Sequence, residues 1–263
     1  MIYDIDSVTV NGRKNEYIRF GSGAKNLLII PGMSFIKIRF SAKSVTQAFA
    51  AFTEKFTVYV VDRCENMPVG YTVFDMANDV LSLMNTLNIE KTSIFGASQG
   101  GMIGMALAAY HPERVEKLVV GSSASRPNAI LTDVMSTWES LSNAEKKREL
   151  NIHAFKKMYS PKIADNAEKL YAISKNNESD EDIRQFGILA RASREFDVYN
   201  DLAKIKCPVL VIGAQNDCVT GVNASCEIAE KIGCDLYVYE DGYHAVYDEA
   251  PDYRERLYSF FNN

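Results

Sequence analysis

The pentapeptide Gly96-Ala97-Ser98-Gln99-Gly100 has the spacing G-x-S-x-G and lies between an apolar run, Thr92–Phe95, and a small-residue stretch with helical patterning, Gly100–Tyr110. A serine on so sharp a strand-to-helix turn takes a strained backbone conformation, so the residues two before and two after it must lack side chains. Gly96 and Gly100 meet that need. Ordinary glycine and serine frequencies predict on the order of 0.06 such pentapeptides in a chain of this length. The pattern therefore points to Ser98 as a nucleophile, with the first amides of the following helix placed to stabilise an oxyanion beside it.

A serine hydroxyl is too weak an acid to ionise near neutrality, so it needs a base, and the base needs an orienting group. The chain has three histidines. His111, in Tyr110-His111-Pro112, sits where the small-residue helix ends and suits a partner for the helix dipole. His153 lies on a helical stretch with Phe155 and Met158. His244 follows the last apolar run and falls at a strand's carboxyl end, where active sites of open α/β sheets gather. Asp217 closes Ile212-Gly213-Ala214-Gln215-Asn216-Asp217 at the same edge, which makes it the candidate acid.

Alternating strands and helices must position these groups. Val8–Val10 and Tyr17–Phe20 flank Asn11-Gly12, a strong hairpin signal. Leu27–Ile30 and Thr57–Val61 read as strands around a helix over Ser44–Phe56. A second helix has Phe74, Ala77, Val80, Leu81, Met84 and Leu87 on one face, with Thr72 and Asp75 resembling a capping box at its start. Strands follow at Thr92–Phe95, Leu118–Val120, Val209–Ile212 and Leu236–Tyr239, with helices over Gly100–Tyr110, Asn223–Ile232 and Asp252–Phe261. Continuous apolar strands separated by helices predict a mostly parallel central sheet, covered on both faces and preceded by an antiparallel hairpin. From Ser122 to about Leu202 the chain is rich in Lys, Glu, Asn and Ser with helical periodicity only, which predicts a helical insertion over 122–202 in a core formed by 1–121 and 203–263.

Composition narrows the function. The 263 residues are 47% hydrophobic and carry 29 basic against 34 acidic side chains, net −5, so there is no electrostatic footprint for nucleic acid or an anionic membrane surface. The first six residues lack a secretory signal, and no run approaches a membrane span. Five cysteines without C-x-x-C spacing fit reduced thiols in a cytoplasmic protein, and three scattered histidines give little support to a metal site.

The chain resembles the α/β-hydrolase superfamily, whose triad order matches Ser98, Asp217, His244. Ile29-Ile30-Pro31-Gly32-Met33 looks like the family's H-G-x segment with Pro31 for His, Tyr110-His111-Pro112-Glu113-Arg114-Val115 like its Y-P-E-x-V turn, and Gly213-x-x-x-Asp217 like its acid loop. The chain departs at Tyr243, where many relatives carry Gly but monoacylglycerol lipases and lysophospholipases do not. It departs also at Gly221, near a common Pro, and at Asp62-Arg63-Cys64-Glu65-Asn66, which lacks the usual glycines. The resemblance implies an oxyanion hole from the backbone N–H groups of Met33 and Gln99, an acyl-enzyme, no cofactor and no metal. It implies a small ester or acyl substrate under a helical cap, with Trp138, Phe155, Tyr159, Tyr171, Phe186, Phe196 and Tyr243 as candidate pocket residues. Hydrolysis of small to medium carboxylic esters is the first expectation. C–C hydrolysis, enol-lactone opening, peracid formation, or ligand binding by a signalling protein of the same fold are the alternatives.

Overall fold

The computed structural model describes residues 2–175 and 178–263. Eight strands form one sheet in the order β1-β2-β4-β3-β5-β6-β7-β8. β1 (Tyr3–Val10) and β2 (Arg13–Phe20) pair antiparallel, and β2 runs antiparallel to β4 (Phe56–Val61). β3 (Lys25–Ile30), β4, β5 (Thr92–Ala97), β6 (Val115–Gly121), β7 (Val209–Asn216) and β8 (Asp235–Tyr243) are parallel. Asn11 and Gly12 both have positive φ, 51° and 77°, the requirement of the tight turn that their dipeptide predicts. β1 starts five residues before the apolar signal because Asp4 and Asp6 lie on an exposed edge, where polar side chains remain hydrated.

Both faces of the sheet are covered. Leu28, Ile30, Ile94, Leu118, Val120 and Val211 point to one face, under α2 (Val73–Thr86), α3 (Gln99–Tyr110) and α9 (Val222–Ile232). Ile29, Val60, Phe95, Val119 and Ile212 point to the other, under α1 (Ala42–Ala48) and α10 (Tyr253–Asn262). Each such fully buried aliphatic side chain stabilises by about 2 kcal/mol relative to exposure.

The helix expected over Ser44–Phe56 is instead the short α1 followed by a 3₁₀ turn, Ala50–Phe52, and Phe56 opens β4. Phe49 and Phe52 are both buried, with ring centroids 5.2 Å apart; residues three apart eclipse in a 3₁₀ turn, so tightening the helix lets both rings enter the core. In α2 the capping box is present, Thr72 N–H donating to Asp75 Oδ2 at 2.9 Å and Asp75 N–H to Thr72 Oγ1 at 3.1 Å. Its most buried stripe is Val73, Met76, Ala77, Val80, Leu83 and Met84, while Phe74, Leu81 and Leu87 pack at the margin.

Between β6 and β7 the chain forms α4 (Ala129–Asn143), α5 (Lys147–Met158), α6 (Pro161–Ala164), α7 (Ala167–Ser174) and α8 (Asp180–Glu195). α4 and α8 pack along each other around Trp138 and Phe186, whose rings lie 5.6 Å apart. No helix among the described residues is long and apolar enough to cross a membrane.

Candidate active site

Ser98 occupies the turn between β5 and α3 with φ 52° and ψ −120°, a conformation that costs an L residue about 1–3 kcal/mol. Close approach holds it there. Its N–H donates to Gly121 O at 2.7 Å, and its carbonyl accepts from Gly101 N–H and from Ser123 Oγ, both at 2.8 Å. A Cβ on Gly96 would stand 2.3 Å from Gly100 O, and one on Gly100 would stand 1.8 Å from Ile30 O. Both glycines are thus sterically required, and the second also lets the carboxyl end of β3 pass over the head of α3.

His244, directly after β8, links two partners. Its Nε2 lies 3.0 Å from Ser98 Oγ, and its Nδ1 lies 2.9 and 3.0 Å from the two oxygens of Asp217. All three side chains are buried, His244 at 1% exposure. Burial alone pushes the Asp217 carboxyl up, but the His244 ring, the Thr220 hydroxyl at 2.7 Å and the amides of Val219 and Thr220 outweigh it and bring it down to about 2. An ionised carboxylate can only accept, so Nδ1 carries the imidazole proton and Nε2 is left to accept from Ser98 Oγ–H.

The other histidines are placed elsewhere. His111 ends α3 beside Glu113, and His153 Nδ1 accepts from Trp138 Nε1 at 2.9 Å. Burial lowers the His153 pKa.

Gln99 is the first residue of α3, where the N–H has no intrahelical carbonyl to meet. The loop after β3 runs against Ser98, a Cβ on Gly32 falling 3.1 Å from Ser98 Cβ, and Met33 is the next residue of that loop.

A cavity of about 400 Å³ is lined by Gly32, which packs on Ser98, and by Met33 and Ala97, while Ser98, Asp217 and His244 themselves lie outside its lining. Its floor is apolar, from Ile29, Phe49, Val60, Phe95 and Leu257, and Tyr159, Tyr247, Asp248 and Arg254 give it one polar wall. Tyr159 Oη donates to Asp248 Oδ2 at 3.4 Å, and Arg254 stands 3.9 Å from Oδ1. Enclosure pushes the Asp248 carboxyl up against the opposing pull of Arg254 and Tyr159.

Of the pocket residues expected from sequence, Tyr159 lines this cavity. Trp138, Phe186 and Phe196 are buried within the helical packing, and Phe155 lies tilted against Tyr159 with centroids 5.7 Å apart. Tyr243 borders a separate depression along β8 with Ser160 and Tyr237. Tyr171 is half-buried on α7. Tyr247, Asp248 and Arg254 belong to no motif in the sequence; the one signal for Tyr247 and Asp248 is that they lie three and four residues past His244. Cys218, adjacent to Asp217, is exposed.

A model of the α/β hydrolase fold matches residues 54–251, a span that holds Ser98, Asp217 and His244. The chain belongs to the α/β hydrolase family. This α/β hydrolase is 32% identical over 190 residues to a putative carbamate hydrolase RutD of a Caulobacter species, covering 69% of each chain. It is 24% identical over 225 residues to 3-oxoadipate enol-lactonase 2 of Acinetobacter baylyi, covering 82% of this chain and 81% of that one. Among solved structures, the enol-lactonase from Burkholderia xenovorans superposes with a TM-score of 0.85 at 21% identity, over 98% of this chain and all of that one. An α/β hydrolase from a Medee basin deep-sea metagenome library gives 0.87 at 18% identity, over 98% of each chain. At those identities the superpositions establish the fold alone.

Proposed function

We propose that this α/β hydrolase is a serine hydrolase that cleaves a small, ester-type acyl bond, open-chain or lactone, through Ser98, His244 and Asp217. The observation that carries the reading is the position of His244, one ring nitrogen on a carboxylate and the other on a serine hydroxyl held in a strained turn. His244 Nε2 takes the Ser98 proton as Oγ attacks the acyl carbon, and Asp217 stabilises the imidazolium that results. The amides of Met33 and Gln99 receive the oxyanion, each donor contributing about 3 kcal/mol to the transition state. The proton then passes from His244 to the leaving oxygen, and water, deprotonated by the same ring, releases the acid from the acyl-enzyme. Every step uses the chain's own groups and water.

The cavity beside Gly32, Met33 and Ala97 takes the acyl or lactone part, its apolar floor fitting a compact hydrocarbon segment. Residues 122–202 form the cap over the core of 1–121 and 203–263. Two contacts support that division: Ala245 N–H donates to Met158 O at 2.8 Å, beside His244, and Gln99 Nε2 donates to Leu189 O at 2.9 Å. The names of the relatives favour a second bond type, a carbamate, which the same groups would cleave in the same order.

The test is a panel of aryl esters, lactones and carbamates run on the wild type and on Ser98→Ala, together with fluorophosphonate labelling. Turnover and labelling should vanish in the variant. Unchanged turnover would overturn the reading, and the preferred member of the panel distinguishes ester from carbamate.

A further inference from the structure

Arg63, in the segment that departs from the family's glycine-containing pattern, reaches both sides of the proposed oxyanion hole. Its Nη2 donates to Pro31 O at 2.7 Å and its Nε to Gln99 Oε1 at 3.2 Å. Pro31 precedes Gly32 and Met33 in the loop after β3, and Gln99 heads α3. One planar guanidinium therefore bridges the two segments that carry the proposed oxyanion donors. The network continues: Gln99 Nε2 donates to Leu189 O at 2.9 Å and to Ser193 Oγ at 2.8 Å on α8, and Ser193 Oγ in turn lies 3.6 Å from Met33 Sδ.

The placement is costly. The Arg63 side chain is half-buried and lines a small cavity of about 40 Å³ together with Phe35, Gln185 and Leu189. Among the described residues its hydrogen bonds go to neutral acceptors. The neighbouring Asp62 carboxylate is occupied by the amides of Ile38 and Arg63 and acts on the guanidinium through its field. Burial lowers the Arg63 pKa to about 10, which leaves it cationic near neutrality. Partly withdrawing a cation from water onto neutral hydrogen-bond acceptors alone is unfavourable, and packing by itself gives no return for the charge. A fixed positive charge behind two oxyanion donors, however, becomes useful when negative charge forms in front of them.

We propose that Arg63 is a positioning residue for hydrolysis, clamping the Pro31–Met33 loop to the head of α3 so that the two oxyanion-binding amides hold a fixed separation, with Gln99 and Ser193 extending the clamp to α8. The proposal rests on the serine hydrolase reading above. Its action is on the transition state, so it should appear in kcat.

The experiment compares Arg63→Met, Arg63→Lys and Gln99→Met with the wild type by steady-state kinetics on the best ester or carbamate of the panel. Thermal unfolding and ¹⁵N order parameters at Gly32, Met33 and Gln99 are measured alongside. Arg63→Met should lose about 100-fold in kcat with KM within about threefold, as for loss of one oxyanion-hole donor. Arg63→Lys should recover about tenfold of that loss, since an ammonium keeps the charge and donors but lacks the rigid planar spread that reaches both acceptors at once. Gln99→Met keeps its backbone amide and should lose about tenfold. Order parameters at Gly32 and Met33 should fall from about 0.85 to below about 0.7 in Arg63→Met.

A kcat within threefold of wild type in folded Arg63→Met, a loss carried by KM alone, or unchanged loop order would overturn the proposal. If Arg63→Met does not fold, wild-type kcat in Gln99→Met does the same. Should the wild type hydrolyse nothing in the panel, the serine hydrolase reading fails instead, while the order parameters still report whether Arg63 holds the loop.

Discussion

The turn that presents Ser98 and the polar wall of the adjoining cavity lie side by side, but they are held in different ways. Around Ser98 the backbone is pressed from three directions, by β3, β6 and the head of α3, and atoms approach so closely that two positions admit glycine alone. Along the wall, Tyr159, Asp248 and Arg254 come from three separate elements and meet at 3.4 and 3.9 Å, near or beyond the limit of a hydrogen bond. The rigid region is where charge must develop in a fixed place. In the proposed reaction the wall faces the variable part of a substrate and tolerates looser contacts, and such a wall is where relatives with one fold can diverge in the bond they cleave.

Substitutions should rank accordingly. The largest effect belongs to Gly100→Ala: its Cβ would overlap Ile30 O at 1.8 Å, so the variant should lose more than about 3 kcal/mol of stability or fail to accumulate, measured by thermal unfolding and soluble yield. A near-wild-type melt would show that the turn is less constrained than the contacts indicate.

Next comes Asp217→Asn, which should fold normally but lose about 10⁴-fold in kcat because an amide no longer holds His244 in the tautomer with Nδ1 protonated. A loss below about tenfold would remove Asp217 from the proposed triad.

A smaller effect concerns acid. Asp217 titrates lower folded, about 2, than unfolded, so its ionised form stabilises the fold at all pH values above the ordinary carboxylate range. That contribution, about 2 kcal/mol, is lost as pH falls from about 4 towards 2. Wild type and Asp217→Asn should therefore differ in denaturant midpoint at pH 6 and converge near pH 2.

The smallest effect is expected at the wall. Asp248→Asn should change kcat/KM by less than about tenfold while altering the ranking of substrates in the panel, in keeping with long contacts worth about 1 kcal/mol. A loss as large as that of Asp217→Asn would erase the contrast between the two regions.

The same contrast governs how much was legible in the sequence. Gly96, Ser98 and Gly100 stand out because close backbone approach leaves no choice of residue. His244 and Asp217 follow from strand order and the scarcity of histidine, and the structure brings both within 3.0 Å of their partners. The hairpin and the parallel sheet are legible through periodicity.

The helix predicted over Ser44–Phe56 fails because its periodicity cannot separate an α-helix from a 3₁₀ turn that buries Phe49 and Phe52. Arg63 is invisible as a bridge, since its partners lie 32 and 36 residues away and one is a backbone carbonyl. The cavity wall is built across three elements, and aromatic residues in the helical segment satisfy packing as readily as they would line a pocket, as Trp138 and Phe186 do.

The central claim, that Ser98 attacks the acyl carbon and carries the acyl group, is tested most directly by trapping the intermediate. A slowly released acyl ester is mixed with the wild type, quenched in acid within the first turnover, and the chain is digested and mapped by mass spectrometry. One acyl group is expected on the peptide containing Ser98 and none in Ser98→Ala. Turnover without an adduct, or an adduct on another residue that survives Ser98→Ala, would contradict it.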